Sequence, residues 1–186
     1  MKTQEKIDLY KLHKDDYLTP KKPVLITIKE ATYLAITGQG EPGGTVFTDR
    51  IGALYGVAFT IKMTRKFAGE QDYVVGKLEG QWWCENGCGD FSRVPKDRWC
   101  WKLLIRTPDF VKPVELDRAV ETIVKKGKTQ PVRDVKLETF TEGLCVQMLH
   151  VGPYEREPET IALMKAHAGQ LQAVTRTITA IIPKQG

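Results

Sequence analysis

A tyrosine followed at once by a carboxylate can hold a cation or work on water. Residues 150–164, HVGPYEREPETIALM, carry that pairing as Tyr154-Glu155, with Glu157 and Glu159 close behind. An aromatic face gives a planar molecule stacking area and attracts a cation. A carboxylate in a semi-buried pocket adds Coulomb attraction that is strongest where water is scarce. The same carboxylate can orient and deprotonate a water molecule. A plainer explanation competes: acids at the start of a helix are favoured by about 0.3–1 kcal/mol each. For Glu159 the plainer explanation is the better one, whereas Glu155, next to the tyrosine, fits both.

Other reactive residue types are sparse. His13, His150 and His167 are scattered, and no Ser-His-Asp or Cys-His constellation offers a rival chemistry. Cys84 and Cys88 stand with three residues between them in WWCENGCGD, looser than a zinc pair and with no histidine nearby. No metal and no cofactor are therefore expected. Four tryptophans cluster as Trp82-Trp83 and Trp99-x-Trp101. On strands, one ring of each pair is expected to point to one face and its companion to the other. Half of these rings then serve plain packing.

The chain has 186 residues, a formal net charge of +5, 41% hydrophobic and 27% charged residues. That length buries a real core in one domain. The basic residues are dispersed, and their densest stretch, residues 14–29, is broken by Asp15, Asp16 and two prolines. Nucleic-acid binding is not expected from such a pattern. The N-terminal residues lack the apolar stretch of a signal peptide. No apolar run approaches the roughly 18 residues a membrane span needs. A cytoplasmic protein with cysteines as thiols is expected.

These candidates need elements to position them. Residues 1–23 read as a polar lead with helical character around 6–12. Residues 24–28 alternate as a strand, 33–37 form a second segment, and GQGEPGG makes a long turn. From Thr45, Phe47, Ile51, Leu54, Tyr55, Ala58 and Ile61 recur at helical spacing. Gly52 and Gly56 inside that helix suggest the close approach of another backbone or a ligand. Residues 73–82 and 99–107 alternate as strands. Residues 113–126 form a helix with Pro113 at its start and Gly127 as its stop. Residues 135–141 and 144–151, either side of Glu142-Gly143, read as a hairpin. Residues 157–168 form a third helix, and 174–182 a last strand. This order argues an α+β antiparallel sheet with helices on one face.

The stretches ALYGVAFTIKM (53–63), LEGQWW (78–83), WCWKLLIRTPDFV (99–111) and FTEGLCVQMLHVGPYEREPETIALM (140–164) together resemble the GyrI-like small-molecule-binding domain family. The nearest subgroup is similar to stand-alone bacterial proteins that act as cyclopropanoid cyclohydrolases. The resemblance covers residues 20–168. It implies one domain over residues 1–186: a lead (1–23), a first strand-helix-strand-strand module with a linking helix (24–130), and a second module (131–186) related by a pseudo-twofold. Between the modules it implies a cleft for a flat, lipophilic, often cationic ligand. By the same resemblance Tyr55, Trp82, Trp83, Trp101, Tyr154, Glu155 and Glu157 line that cleft. Glu155, or alternatively Glu157, is then the candidate for orienting water, and Tyr154, or alternatively Tyr55, for stabilising charge on a carbonyl oxygen.

The chain departs from the family in its tail, GQLQAVTRTITAIIPKQG, which lacks the strand carrying the family's cleft glutamate. The second module is thus expected to be one strand short. An exposed sheet edge of that kind invites pairing, so a homodimer through it is expected. Three functions follow in order. The first is sequestration of lipophilic small molecules. The second is hydrolysis of electrophilic cyclopropane rings in DNA-alkylating natural products. The third is a protein-partner module such as the gyrase inhibitor that names the family.

Overall fold

The computed structural model describes residues 5–84, 94–127, 131–170 and 178–182; for Cys84, Tyr154, Gln170 and residues 178–182 it describes the backbone alone. Among these the elements run α1 (Leu9–Leu12), β1 (Val24–Ile28), β2 (Ala31–Gln39), α2 (Thr45–Phe67), β3 (Leu78–Cys84), β4 (Trp99–Thr107), α3 (Pro113–Lys125), β5 (Lys136–Phe140), β6 (Gly143–Gln147), α4 (Glu157–Gln170) and β7 (Ile178–Ile182). Cys88 and the loop around it lie outside the described residues.

Five strands form a sheet in the order β5-β2-β4-β3-β7, with every neighbouring pair antiparallel. Strands β1 and β6 form a second antiparallel pair. The expected α+β class with antiparallel sheets is what the chain adopts. Residues 135–151, however, do not form a hairpin. Strand β5 pairs with β2, and β6 pairs with β1. Ala31 faces Phe140 and Ile28 faces Gly143, so one register runs through both sheets and the chain bends without reversing. The favoured two-residue hairpins need left-handed φ at the first central residue or at both. At Glu142-Gly143 the glycine takes it, with φ of 73°, and marks the start of β6. Strand β3 likewise starts later than the alternation from residue 73 predicts, at Leu78, and Tyr73 makes only an isolated bridge to Ile7.

Strand alternation divides the five-stranded sheet into two unlike faces. On one, Leu34, Ile36, Leu78, Trp101, Leu103 and Ile105 are buried against α2 and α3. Helix α3 is set by Pro113 in its first turn and by Glu115, which reaches back to accept from the Lys112 amide at 2.9 Å. Trp101 packs over Gly38 and Trp82 over Gly80, positions where a Cβ would collide with the indole. The glycines inside α2 behave differently from expectation. Gly52 has open space beside it, and Gly56 meets only the tip of Ile123 at 4.0 Å. Helix α4 packs against β6, apart from the α2–α3 layer.

Candidate functional site

The far face of the same sheet carries the opposite chemistry. In β3, Leu78, Gly80 and Trp82 point to the helices, so Glu79, Gln81 and Trp83 point away. In β4, Lys102, Leu104 and Arg106 do the same. Register places Glu79 beside Leu104, and Arg106 beside Tyr33 of β2. Tyr33 is buried and stacks on Phe140 of β5 at 4.7 Å. Glu79 and Arg106 are each only 5% exposed.

The N-terminal segment crosses this face. Asp8 caps α1 by accepting from the Tyr10 and Lys11 amides. A 3-10 turn follows at Lys14–Tyr17. The Tyr17 hydroxyl donates to Glu79 Oε1 at 2.9 Å. Arg106 donates to Asp16 Oδ2 at 2.7 Å, and its guanidinium stands 5.9 Å from the Tyr17 ring centre. Gln147 of β6 donates to the Asp16 carbonyl at 2.9 Å, and its Oε1 is buried with no partner among the described residues. The Leu149 amide donates to the Pro20 carbonyl at 2.7 Å.

Burial pushes the Glu79 carboxyl up from 4.5 to about 7. The Tyr17 hydrogen bond and Arg106 oppose the shift, whereas Glu142 and Asp16 add to it. Such a carboxyl is poised to give and take protons near neutrality. Burial also raises both phenols, Tyr17 and Tyr33, so they stay protonated and able to donate. The arrangement joins two carboxyls, Glu79 and Asp16, two phenols and one guanidinium on a water-poor face.

The sequence candidates do not assemble as one wall. Trp83 shares the far face with Glu79, half-buried. Trp82 packs against the helix-side core, and Trp101 is fully buried there, edge-on to Phe47 at 5.0 Å with its Nε1 donating to the Gly40 carbonyl. Tyr55 lies on α2 against that core, where burial raises its phenol and the Leu78 backbone hydrogen-bonds to it. Trp99 and Trp101 do not diverge as expected: two residues apart on one strand, they share a side. Glu155 is exposed. Glu157 is half-buried, and burial raises its carboxyl against the opposing pull of His150. Glu159 pairs with Arg156 at 2.8 Å in the open first turn of α4, as helix-start chemistry predicts. His150 bridges Thr160 and the Pro153 carbonyl, tying down the turn before α4. The Tyr154 side chain lies outside the described residues.

Glu79, Tyr17, Asp16, Tyr33 and Arg106 escaped the sequence reading as site residues. One signal existed for Glu79: it is the sole carboxylate of the alternating stretch LEGQWW, on the face that Trp82 does not use. Tyr17 and Asp16 gave none, since their partners lie 62 and 90 residues away.

No protein-family model matches the chain, and no curated protein does. Solved structures do. An uncharacterized conserved protein from Listeria innocua is 35% identical, with a TM-score of 0.85 over 97% of this chain and 91% of that one. A hydrolase from Listeria innocua is 35% identical, with a TM-score of 0.83 over 95% and 89%. Another Listeria innocua hydrolase is 34% identical, with a TM-score of 0.81 over 95% and 93%.

Proposed function

The chain belongs to the family of these Listeria innocua proteins, and from that premise we propose that it is a hydrolase of small, flat, lipophilic electrophiles. The two-module, pseudo-twofold organisation and the GyrI-like kinship form part of the same proposal. The observation that carries it is Glu79: a carboxyl 5% exposed, hydrogen-bonded to a phenol, and titrating at about 7. At that value the group is present in both forms at neutral pH, the condition for general acid–base work.

For a cyclopropane conjugated to a carbonyl the step balances with water alone. Glu79 as carboxylate takes a proton from water while the water oxygen bonds to a ring carbon. The strained carbon–carbon bond breaks, its electron pair flows to the carbonyl oxygen, and that oxygen then takes the proton held by Glu79, which restores the carboxylate. Tyr33 and Arg106 are the donors that stabilise the charge gathering there. Trp83 supplies stacking surface beside them.

Sequestration without turnover is the second reading. It is favoured by the sign of the groups acting on Glu79: Glu142 and Asp16 add negative charge, and Arg106 opposes them. That balance suits a lipophilic cation.

The test uses a synthetic spirocyclopropyl cyclohexadienone fused to a pyrrole ring that carries an N–H, followed by loss of dienone absorbance and a mass gain of one water. Wild type is expected to turn it over, and Glu79→Gln to lose about 10²–10⁴-fold in rate. Saturable binding with no hydrated product selects sequestration. Turnover undiminished in Glu79→Gln rejects the assignment of Glu79.

A further inference from the structure

The N-terminal turn is held on the far face in an unusual way. None of its four residues, Lys14–Tyr17, is fully buried, Lys14 and Asp15 are exposed, and Asp16 and Tyr17 are half-buried, so the turn has no fully buried core anchor of its own. Its hold comes from side chains that grip the site's own groups: the Tyr17 hydroxyl on Glu79 and the Asp16 carboxylate on Arg106. Further help comes from ring contact between Tyr10 and Tyr17 at 4.8 Å and from the Gln147 bond to the turn's backbone. On either side the chain is fixed independently. Leu9 is buried and Ile7 bridges to Tyr73, and Pro20 is bonded by the Leu149 amide. The turn is thus a strap between two fixed ends, fastened at its middle to the catalytic candidates.

We propose that this strap is a displaceable occupant of the Glu79 site and that it sets which ligands enter: planar aromatic molecules bearing an N–H or O–H donor that takes over the place of Tyr17. The inference rests on the reading of Glu79 as the functional acid. Tyr17 itself displays the chemistry the site accepts, an aromatic ring with a donor directed at a buried carboxyl. A ligand lacking such a donor displaces the phenol and leaves the carboxyl unsatisfied, which a buried polar group resists strongly. Displacement also releases Asp16 from Arg106, so the guanidinium becomes free to meet charge developing on a bound molecule.

Binding behind a strap is weakened by the fraction of molecules in which the strap is closed. The probe is 9-aminoacridine, a planar cation with N–H donors, followed by its own fluorescence anisotropy. If the strap is closed in about nine molecules of ten, Tyr17→Ala tightens apparent binding about tenfold. Tyr17→Phe, which keeps the ring and loses the hydroxyl, is expected to tighten it by less. In wild type, saturating dye is expected to speed amide exchange across residues 13–18, between the two fixed ends. Binding that weakens or stays unchanged in both Tyr17 variants, or exchange that slows in the strap, overturns the proposal.

Glu79→Gln separates the two levels. If it abolishes dye binding while the Tyr17 variants fail to tighten it, the strap idea alone falls. If it leaves dye binding intact, the reading of Glu79 falls and takes the strap with it. Absence of saturable binding in wild type and both Tyr17 variants also overturns the proposal.

Discussion

The two faces of the five-stranded sheet are built from alternate residues of the same strands, and they do opposite things. Trp101, Leu103 and Ile105 of β4 close the core beneath α2, whereas Lys102 and Arg106, one residue out of step, carry charge on the other side. Strand β3 repeats the division with Leu78 and Trp82 against Glu79 and Trp83. The helix face is apolar, and its stability comes from burial and close packing. The far face holds a buried acid and a buried guanidinium that cost stability to desolvate. One face therefore keeps the sheet folded while the other carries groups that folding alone does not favour, a pattern expected where a site is maintained against a stability cost.

The largest effect is expected from the helix face. Trp101→Ala removes a fully buried indole that packs over Gly38 and against Phe47, and costs about 3–5 kcal/mol in urea denaturation. A loss within about 0.5 kcal/mol, the range of neutral surface changes, breaks the assignment of that face as the structural one.

On the far face Glu79→Gln is expected to stabilise the chain, in a pH-dependent way. The carboxyl titrates at 4.5 ordinarily and at about 7 in the fold. Burial is the main cause, and the groups acting on it are Tyr17, Glu142, Arg106 and Asp16, with Tyr33 beside them. Between those values the folded chain holds a proton that the unfolded chain has lost, so stability falls as pH rises through the window. The cost is complete above the folded value and amounts to about 3 kcal/mol. Wild type and Glu79→Gln should therefore differ least near pH 4.5 and most near pH 8, with the glutamine variant the more stable. A difference that does not change between pH 5 and pH 8 contradicts a carboxyl held up by burial.

The smallest effect sharpens the comparison within the far face. Lys102 and Glu138 pair at 2.6 Å but remain partly open to water. Glu138→Gln is expected to cost less than about 1 kcal/mol and to leave the Glu79-dependent chemistry intact. A larger loss extends the functional centre from Glu79 and Arg106 out to the β5 edge.

The sequence determined the elements wherever a single period ran long enough to be read. Residues 99–107 alternate as β4 does, end to end, and the helices starting at Thr45, Pro113 and Glu157 begin where their spacing and turn chemistry put them. Alternation alone also separates Trp82 from Trp83, whereas the expectation that Trp99 and Trp101 diverge fails, because residues two apart on one strand share a side. The tertiary structure decided what those elements meet. Residues 136–147 carry a turn-like Glu142-Gly143 between two strand patterns, yet they run on as β5 and β6 because the chain of β1 and β2 lies alongside for their whole length. Tyr17 reaches Glu79 and Asp16 reaches Arg106 only once strand order and register have brought the N-terminal turn over the sheet. A local pattern fixes which way a side chain points from its own strand or helix. Which partner lies in that direction is set by how distant segments stack, and no spacing within either segment encodes it.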